Sequence, residues 1–298
     1  MPAECKLSII TVNYNGIDDT CAMIDSLPPI DGMEIIVVDN ASKNDEATAI
    51  AQRYPHITVI RSEQNLGFAG GNNLGIKAAH GEYLFFVNND TEFLCKEGID
   101  KLMERMDKNP SIGMICPKIR FHWNPQPIQF AGYTPLSAIT LRNRAIGSDE
   151  ADNGQYDEAH PTPYAHGAAM LTRKEAIDKV GLMPECYFLY YEELDWSMMF
   201  RRAGYEIWYD PAFTIFHKES KSTGQASPLK AYYITRNRFL LAQRNIDVPQ
   251  RYLTYLYLLA LVALRDIIKY TLKGEKAHIQ AIRTALSDFI HGKKGQKE

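Results

Sequence analysis

Short apolar runs recur along the first third of the chain, and stretches with helical spacing separate them. Leu7–Val12 is strand-like, Ile17–Leu27 has helical spacing, and Glu34–Asp39 is a second strand built on Ile35, Ile36, Val37 and Val38. Asp45–Tyr54 predicts a helix closed by Pro55, Ile57–Arg61 a third strand, Gly70–Ala79 a third helix and Tyr83–Val87 a fourth strand. Strands separated by helices of this length predict a parallel sheet. Their nearly continuous apolar character predicts a sheet covered on both faces. From Pro117 to Pro163 the periodicity loosens among prolines, glycines and aromatics. Order returns with helices over Thr172–Val180 and Glu192–Ala203, strands over Glu206–Tyr209 and Ala212–His217, and a wholly helical region after Ser227.

Polar clusters follow the strands directly. Thr11 to Asn15 follows the first, Asp39 to Ser42 the second, and Asn88-Asn89-Asp90 the fourth. Ligands of open α/β sheets bind at the carboxyl ends of strands, so these three clusters are expected to meet on one edge.

Composition narrows the function classes. A chain of 298 residues has room for a large core, so neither disulfides nor structural metals are needed for stability. The net charge of −3 gives no bulk electrostatic reason to bind nucleic acid. Cys5, Cys21, Cys95, Cys116 and Cys186 are scattered and show no paired spacing, which argues against a disulfide framework or a zinc cluster and suits reduced thiols. The stretch from Met1 to Lys6 lacks the basic and apolar regions of a secretory signal. The longest apolar stretch, Tyr252–Leu264, is shorter than the roughly 20 residues needed to span a bilayer.

Four segments carry candidate chemistry. In Phe85–Asp90 a buried strand runs into two amides and a carboxylate, and Asp90 is a candidate ligand for a hard cation such as Mg²⁺ or Mn²⁺; a plain Asn/Asp turn is the alternative. Glu192, Glu193 and Asp195 open a predicted helix, where the helix dipole favours acids and where one carboxylate is placed to act as general base. His217 ends an apolar strand, either as a core residue or as a metal ligand. In Asn65–Asn73, glycines allow a ligand close to the backbone at a helix start. Neither a dinucleotide fingerprint nor a P-loop is present.

Taken in order, these segments resemble the family 2 glycosyltransferases, particularly the bacterial rhamnosyltransferase and galactofuranosyltransferase branch. The matching stretches are Ser8–Asn15, Val37–Ser42, Asn65–Asn72, Asn88–Asp90 and Glu192–Tyr205, with Tyr232–Arg238 also similar, so the likeness runs over about residues 6–245. It implies a GT-A fold: a Rossmann-like α/β sheet, mixed and mainly parallel, flanked by helices. The catalytic domain would cover 1–226 and a C-terminal helical region 227–298. It also implies roles. Thr11, Asn13, Asp39, Asn65, Gly67, Gly70, Asn72, Asn88 and Asn89 would hold a nucleotide sugar, and Asp90 with His217 would hold Mn²⁺ or Mg²⁺. Glu193 falls at the base position, with Glu192 and Asp195 as supporting acids. The chain departs from the family pattern in having Asn88 where many members have Asp, Glu193 where the motif usually has Asp, and Met199 where this branch often has Arg.

The implied activity is transfer, with inversion, of a sugar from dTDP-rhamnose or a UDP-sugar to a glycan or lipid-linked acceptor in bacterial surface polysaccharide synthesis. A catalytically inactive carbohydrate- or nucleotide-binding module is an alternative, and a nucleotidyltransferase a lesser one. In the tail, aromatics and leucines of Tyr252–Leu272 lead into Lys269, Lys273, Lys276, Arg283, Lys293 and Lys294. That composition suits a helix lying at a membrane interface. The expected location is cytoplasmic, at the inner face of the cell membrane. A helical hairpin packed on the catalytic domain, or a homodimer contact, is the other use of such a tail.

Overall fold

The computed structural model describes residues 5–94, 97–219 and 227–297. Cys95 and the expected domain boundary at 226 lie outside them. The first third alternates as its periodicity predicts: β1 (Leu7–Asn13), α1 (Ile17–Ser26), β2 (Met33–Asp39), α2 (Glu46–Arg53), β3 (Thr58–Arg61), α3 (Gly67–Ala78) and β4 (Tyr83–Val87). There follow β5 (Thr91–Glu92), α4 (Ile99–Lys108), β6 (Ile112–Phe121), β7 (Ile128–Phe130), β8 (His160–Pro161) and β9 (Ala169–Arg173). The last sheet segment contains α5 (Lys174–Val180), α6 (Glu192–Arg202) and β10 (Glu206–His217). The tail comprises α7 (Pro228–Asn245), α8 (Gln250–Tyr257), a π-helical stretch (Leu258–Ala263), α9 (Leu264–Leu272) and α10 (Lys276–Ile290).

The strands form one mixed sheet in the order β3-β2-β1-β4-β9-β6-β10-β5, with β7 beside β6 and β8 beside β10. The longest ladders, β1 with β2 and β6 with β10, are parallel. β9 is antiparallel to both of its neighbours, β4 and β6. The carboxyl ends of β1, β2, β4 and β10 and the amino end of β9 therefore share one edge. β4 is buried along its whole length, because helices cover both faces of the sheet. This is the α/β fold the sequence implied.

Three local expectations change. The helix expected over Thr172–Val180 begins at Lys174, since Thr172 and Arg173 complete β9 in the middle of the sheet. The loosened region from Pro117 onward contains half of β6 together with β7 and β8. The two strands expected after Gly204 are one strand, β10, whose register shifts between Asp210 and Thr214. Asp210 is buried there, caps the Ala212 N–H at 2.9 Å and pairs with Arg105, so the irregularity leaves no polar group stranded.

The C-terminal helices pack on the sheet domain. Leu240 and Leu241 of α7 share a core with Tyr164, Tyr187 and Leu194. Ala281 and Ala285 of α10 pack with Phe188, Tyr232 and Tyr233. Small residues on α10 let it approach the tyrosines of α7 closely. Among the described residues no helix is long and apolar enough to cross a membrane.

Candidate active site

A cavity of about 630 Å³ opens at the shared edge of the sheet. Each strand end delivers a side chain to it because the chain turns from strand to loop at that level. Val12 lies near the end of β1 and Tyr14 follows it, Asn40 follows β2, Asn88 to Asp90 follow β4, and His217 ends β10. His166 to Ala168 enter from the other direction, ahead of β9.

Asp90 and His217 meet because β5 pairs antiparallel with the end of β10, with Thr91 opposite His217. His217 Nε2 lies 3.1 Å from Asp90 Oδ1. The ring's Nδ1 lies 2.9 Å from Gln129 Oε1 on β7. With that amide oxygen accepting from Nδ1–H, Nε2 turns its lone pair towards a carboxylate. Two acceptors at this distance need a proton or a cation between them. Burial raises the Asp90 carboxyl, but the hydrogen bond and charge of His217, helped by Lys218, outweigh it and hold Asp90 below the usual aspartate value. No group of three or more His, Cys, Asp or Glu suited to a metal occurs among the described residues. A carboxylate and an imidazole whose far nitrogen is fixed by an amide are two groups that could hold a divalent cation.

Across the cavity lies the start of α6. Glu193 is half-buried and lines the cavity, beside Gly167. Glu192 also lines it but is 4% exposed, and its Oε2 has no hydrogen-bond partner among the described residues. Burial raises both carboxyl groups above the ordinary glutamate value, and Glu192 is pushed further by the charge of Glu193. Glu192 is therefore the harder of the two to ionise. Asp195 faces away from the cavity. It is fully buried, pairs with Arg244, and accepts from Asn245 Nδ2 at 2.9 Å and Tyr187 Oη at 3.0 Å. Its work is to anchor α6 to α7.

The residues before α6 carry backbone strain. Phe188, Tyr190 and Tyr191 have φ of +69°, +68° and +79°, in the left-handed region that costs side-chain-bearing residues energy. Asn237 of α7 holds this loop. Its Nδ2 donates to the carbonyls of Tyr187 at 3.0 Å, Leu189 at 2.7 Å and Tyr190 at 3.1 Å. Arg236 adds a bond from Nη2 to Tyr187 O at 2.9 Å.

The glycine-rich segment meets the same loop. Gly67 has φ +71°, and a Cβ on it would fall 2.1 Å from Phe188 O, so glycine is required on two counts. Phe68 N donates to that same carbonyl at 2.9 Å. Asn65 Oδ1 accepts from Gly67 N at 2.9 Å and Asn40 Nδ2 at 3.1 Å. Asn72 Nδ2 donates to Phe68 O at 2.9 Å. Asn65, Gly67, Asn72, Asn88 and Asn89 all line the cavity. Gly70 does not. It packs on Leu66, where a Cβ would approach to 2.6 Å.

Thr11, Asn13 and Asp39 are fully buried and do not line the cavity. Asn13 Nδ2 contacts Asp39 Oδ1 at 2.9 Å and Glu46 Oε2 at 2.8 Å, while its Oδ1 accepts from Thr20 Oγ1 at 2.7 Å. This network fixes the loop after β1 from beneath, leaving Tyr14 and Asn40 as the groups presented to a ligand. The sequence reading did not single out Gln129, Tyr133 or His166 either. His166 is half-buried, and desolvation of its ring, followed by the charge of His217, lowers its pKa to about 3. Its Nδ1 accepts from Ala168 N at 3.1 Å, which leaves the neutral ring with its proton on Nε2 as a donor.

The glycosyl transferase family 2 model matches residues 8–181. The chain is 27% identical to the low-salt glycan biosynthesis hexosyltransferase Agl10 of Haloferax volcanii, over 96% of this chain and 90% of that protein. It is 25% identical to the N-acetylglucosaminyl-diphospho-decaprenol L-rhamnosyltransferase of Mycobacterium tuberculosis, over 70% of this chain and 74% of that one. Its fold is similar to that of GalNAc-T7 crystallised with UDP, GalNAc and Mn²⁺, with a TM-score of 0.63, 15% identity, and coverage of 89% of this chain and 57% of the other. With a family match over more than half its length, the chain belongs to glycosyl transferase family 2.

Proposed function

We propose that the protein is a metal-dependent, inverting glycosyltransferase that moves a sugar from a nucleoside-diphosphate sugar to a hydroxyl of a glycan or lipid-linked acceptor in surface polysaccharide synthesis. The observation that carries this reading is one cavity with Asp90 and His217 on one side and an ionisable Glu193 on the other. The donor would lie along the strand ends, its nucleoside against Tyr14, Asn40 and the Asn65–Phe68 turn. Asp90 and His217 would hold Mn²⁺ or Mg²⁺ against the diphosphate, and the bound ion supplies Lewis-acid stabilisation of the leaving group. Asn88 would line the same part of the cavity, while Asn89 Nδ2 donates to Thr20 Oγ1 at 3.0 Å and so helps fix the loop beside it.

Glu193 takes the proton from the acceptor hydroxyl as its oxygen bonds to the anomeric carbon. The bond to the diphosphate breaks on the opposite face and its electron pair leaves with the nucleoside diphosphate. One displacement inverts the configuration. Glu192, which burial and the charge of Glu193 make the harder of the two to ionise, leaves Glu193 as the carboxylate that serves as base. His166 Nε2–H is available to a substrate oxygen.

The tail supports work at a membrane. α8, the π-helical stretch and α9 expose Leu253, Leu256, Leu259, Leu264, Ile268 and Leu272, with Arg251, Arg265, Lys269 and Lys273 along the same run. An apolar face with flanking cations suits the interface of an anionic bilayer. The acceptor of the mycobacterial relative, by its name, is a lipid diphosphate, which such a surface would reach.

Thermal-shift screening of nucleotide sugars with Mn²⁺, Mg²⁺ or EDTA tests the donor half. A matched donor at a hundredfold excess over its Kd stabilises by about 2.7 kcal/mol. Release of nucleoside diphosphate by wild type and not by Glu193→Gln tests the chemistry. No metal-dependent stabilisation with any nucleotide sugar would remove the reading.

A further inference from the structure

A second cavity, of about 330 Å³, opens between α7, the π-helical stretch, α9 and α10. α7 contributes Lys230, Ile234 and Arg238, each four residues apart and so on one helical face. α9 contributes Arg265 and Lys269, again four apart. The only carboxylate among the lining residues is Asp266, which Arg265 engages at 2.7 Å. The floor is apolar, from Phe239, Leu258, Val262 and Ile282. Cations around an apolar floor attract an anion more strongly than the same cations in open water, because the medium screens less.

Two contacts join this cavity to the catalytic one. Lys230 lines both. Arg238 Nε donates to Tyr191 Oη at 2.7 Å, and Tyr191 is the cap residue of the helix carrying Glu193. On α9, Arg265 and Lys269 alternate with the exposed Leu264, Ile268 and Leu272. Linked by Lys230 and Arg238, the two cavities thus bring Glu193, a group of cations and an exposed apolar surface into neighbouring parts of the fold. A lipid-linked glycan carries the same three features: hydroxyl, phosphate and hydrocarbon.

We propose that this second cavity is the acceptor subsite for the phosphate or diphosphate of a lipid-linked glycan, held by Lys230, Arg238, Arg265 and Lys269. The proposal rests on the transferase reading above for its biological meaning. Its binding content stands apart from catalysis and is tested separately.

The test uses the full chain and the double variant Arg265→Ala/Lys269→Ala, both positions being exposed and therefore tolerant of truncation. Binding of geranylgeranyl diphosphate is measured in EDTA, so that a metal-dependent site contributes nothing. Wild type should bind it, and the double variant at least tenfold more weakly. Geranylgeraniol, which lacks the diphosphate, and inorganic pyrophosphate, which lacks the chain, should each bind more weakly to wild type. In the donor arm, nucleoside diphosphate release without acceptor should be equal in both proteins. Equal affinity of wild type and variant for geranylgeranyl diphosphate would overturn the proposal. So would pyrophosphate binding as tightly as the prenyl compound, or a loss seen only on phosphatidylglycerol vesicles, which would mark a general lipid-surface contact. An absence of donor turnover in both proteins would count against the transferase reading while leaving the binding result to decide the subsite.

Discussion

Replacing Asn237 with Ala should slow sugar transfer far more than it weakens donor binding. Asn237 is fully buried and its amide serves three carbonyls of the loop that leads into α6. An amide has two protons, so two of these contacts are strong at any moment. Arg236 still serves Tyr187 O, so the carbonyls of Leu189 and Tyr190 lose their amide partner, at a cost of about 2–6 kcal/mol at roughly 1–3 each. The loop already stores strain: three left-handed residues amount to about 3–6 kcal/mol at roughly 1–2 each. The two magnitudes are comparable, so without the clamp the loop has an incentive to relax, and Glu193 follows its helix start. A displacement of about 1 Å at a reacting group costs about 10²-fold. The expected result is therefore a fall in kcat of about 10²-fold, a smaller change in donor KM, and a loss of about 5–10 °C in Tm. Asn237→Asp keeps the shape but presents a carboxylate to carbonyl oxygens, so it should be no better. Initial rates at saturating donor, with calorimetry on the same samples, give both numbers. If Asn237→Ala loses the expected Tm yet keeps turnover within about twofold, the clamp is structural only and the coupling to Glu193 is wrong.

Further outcomes follow from the same geometry. Glu193→Gln should lower turnover by about 10²–10⁴-fold with donor affinity retained, whereas Glu192→Gln, at a carboxyl that burial and the charge of Glu193 push upwards, should stay within about tenfold of wild type; steady-state kinetics on both decide. The base works ionised and burial raises it, so kcat/KM should rise with pH through a limb lying above the ordinary glutamate value, and a rate that is flat down to pH 4 would remove Glu193. Asp90→Ala and His217→Ala should each abolish Mn²⁺-dependent donor binding with little change in fold, read by thermal shift with and without metal. Gly67→Ala, forced towards Phe188 O, should lower Tm and weaken donor binding together, since one turn serves both.

The early strands were legible because their apolar runs end abruptly in polar residues, and the sheet brings those ends to one edge as expected. Asp90 was visible as the carboxylate just after a buried strand and His217 as the polar residue that ends one, although only the β5–β10 pairing puts them 3.1 Å apart. β9 was not legible. Its apolar run flows into Lys174–Val180 without a breaker, so a single helix fits the same letters. β6 was hidden by Pro117, which removes a ladder donor. The structure accommodates it opposite Asp210, where the register of β10 shifts. At Asn13 and Asp39 the structure adds what motif position does not show. Both sit where a ligand contact was expected, yet their polar atoms are directed into a buried network with Thr20 and Glu46. His166, Gln129 and Tyr133 come from the irregular middle of the chain, where no period marks which residues turn inward.

α7 explains itself only when the two cavities are considered together. Polar residues lie all around it, a pattern that in an isolated sequence suggests a helix bridging solvent. Yet Arg236 and Asn237 are buried, as are Tyr232, Tyr233, Leu240 and Leu241. Each direction has its own partner. Lys230 and Tyr233 face the catalytic cavity, Asn237 faces the strained loop, Arg238 faces the second cavity, and the leucines face the core. Arg236 has aromatic rings of Tyr232 and Tyr233 at 5.2 Å, and its hydrogen bonds go to a carbonyl, a hydroxyl and an amide oxygen. A buried cation held this way is sensitive to the loss of any one partner, since burial penalises its charge. The helix that a chain-order reading assigns to a tail is thereby part of the catalytic centre's support, and removing it should disable Glu193 even where the sheet remains folded.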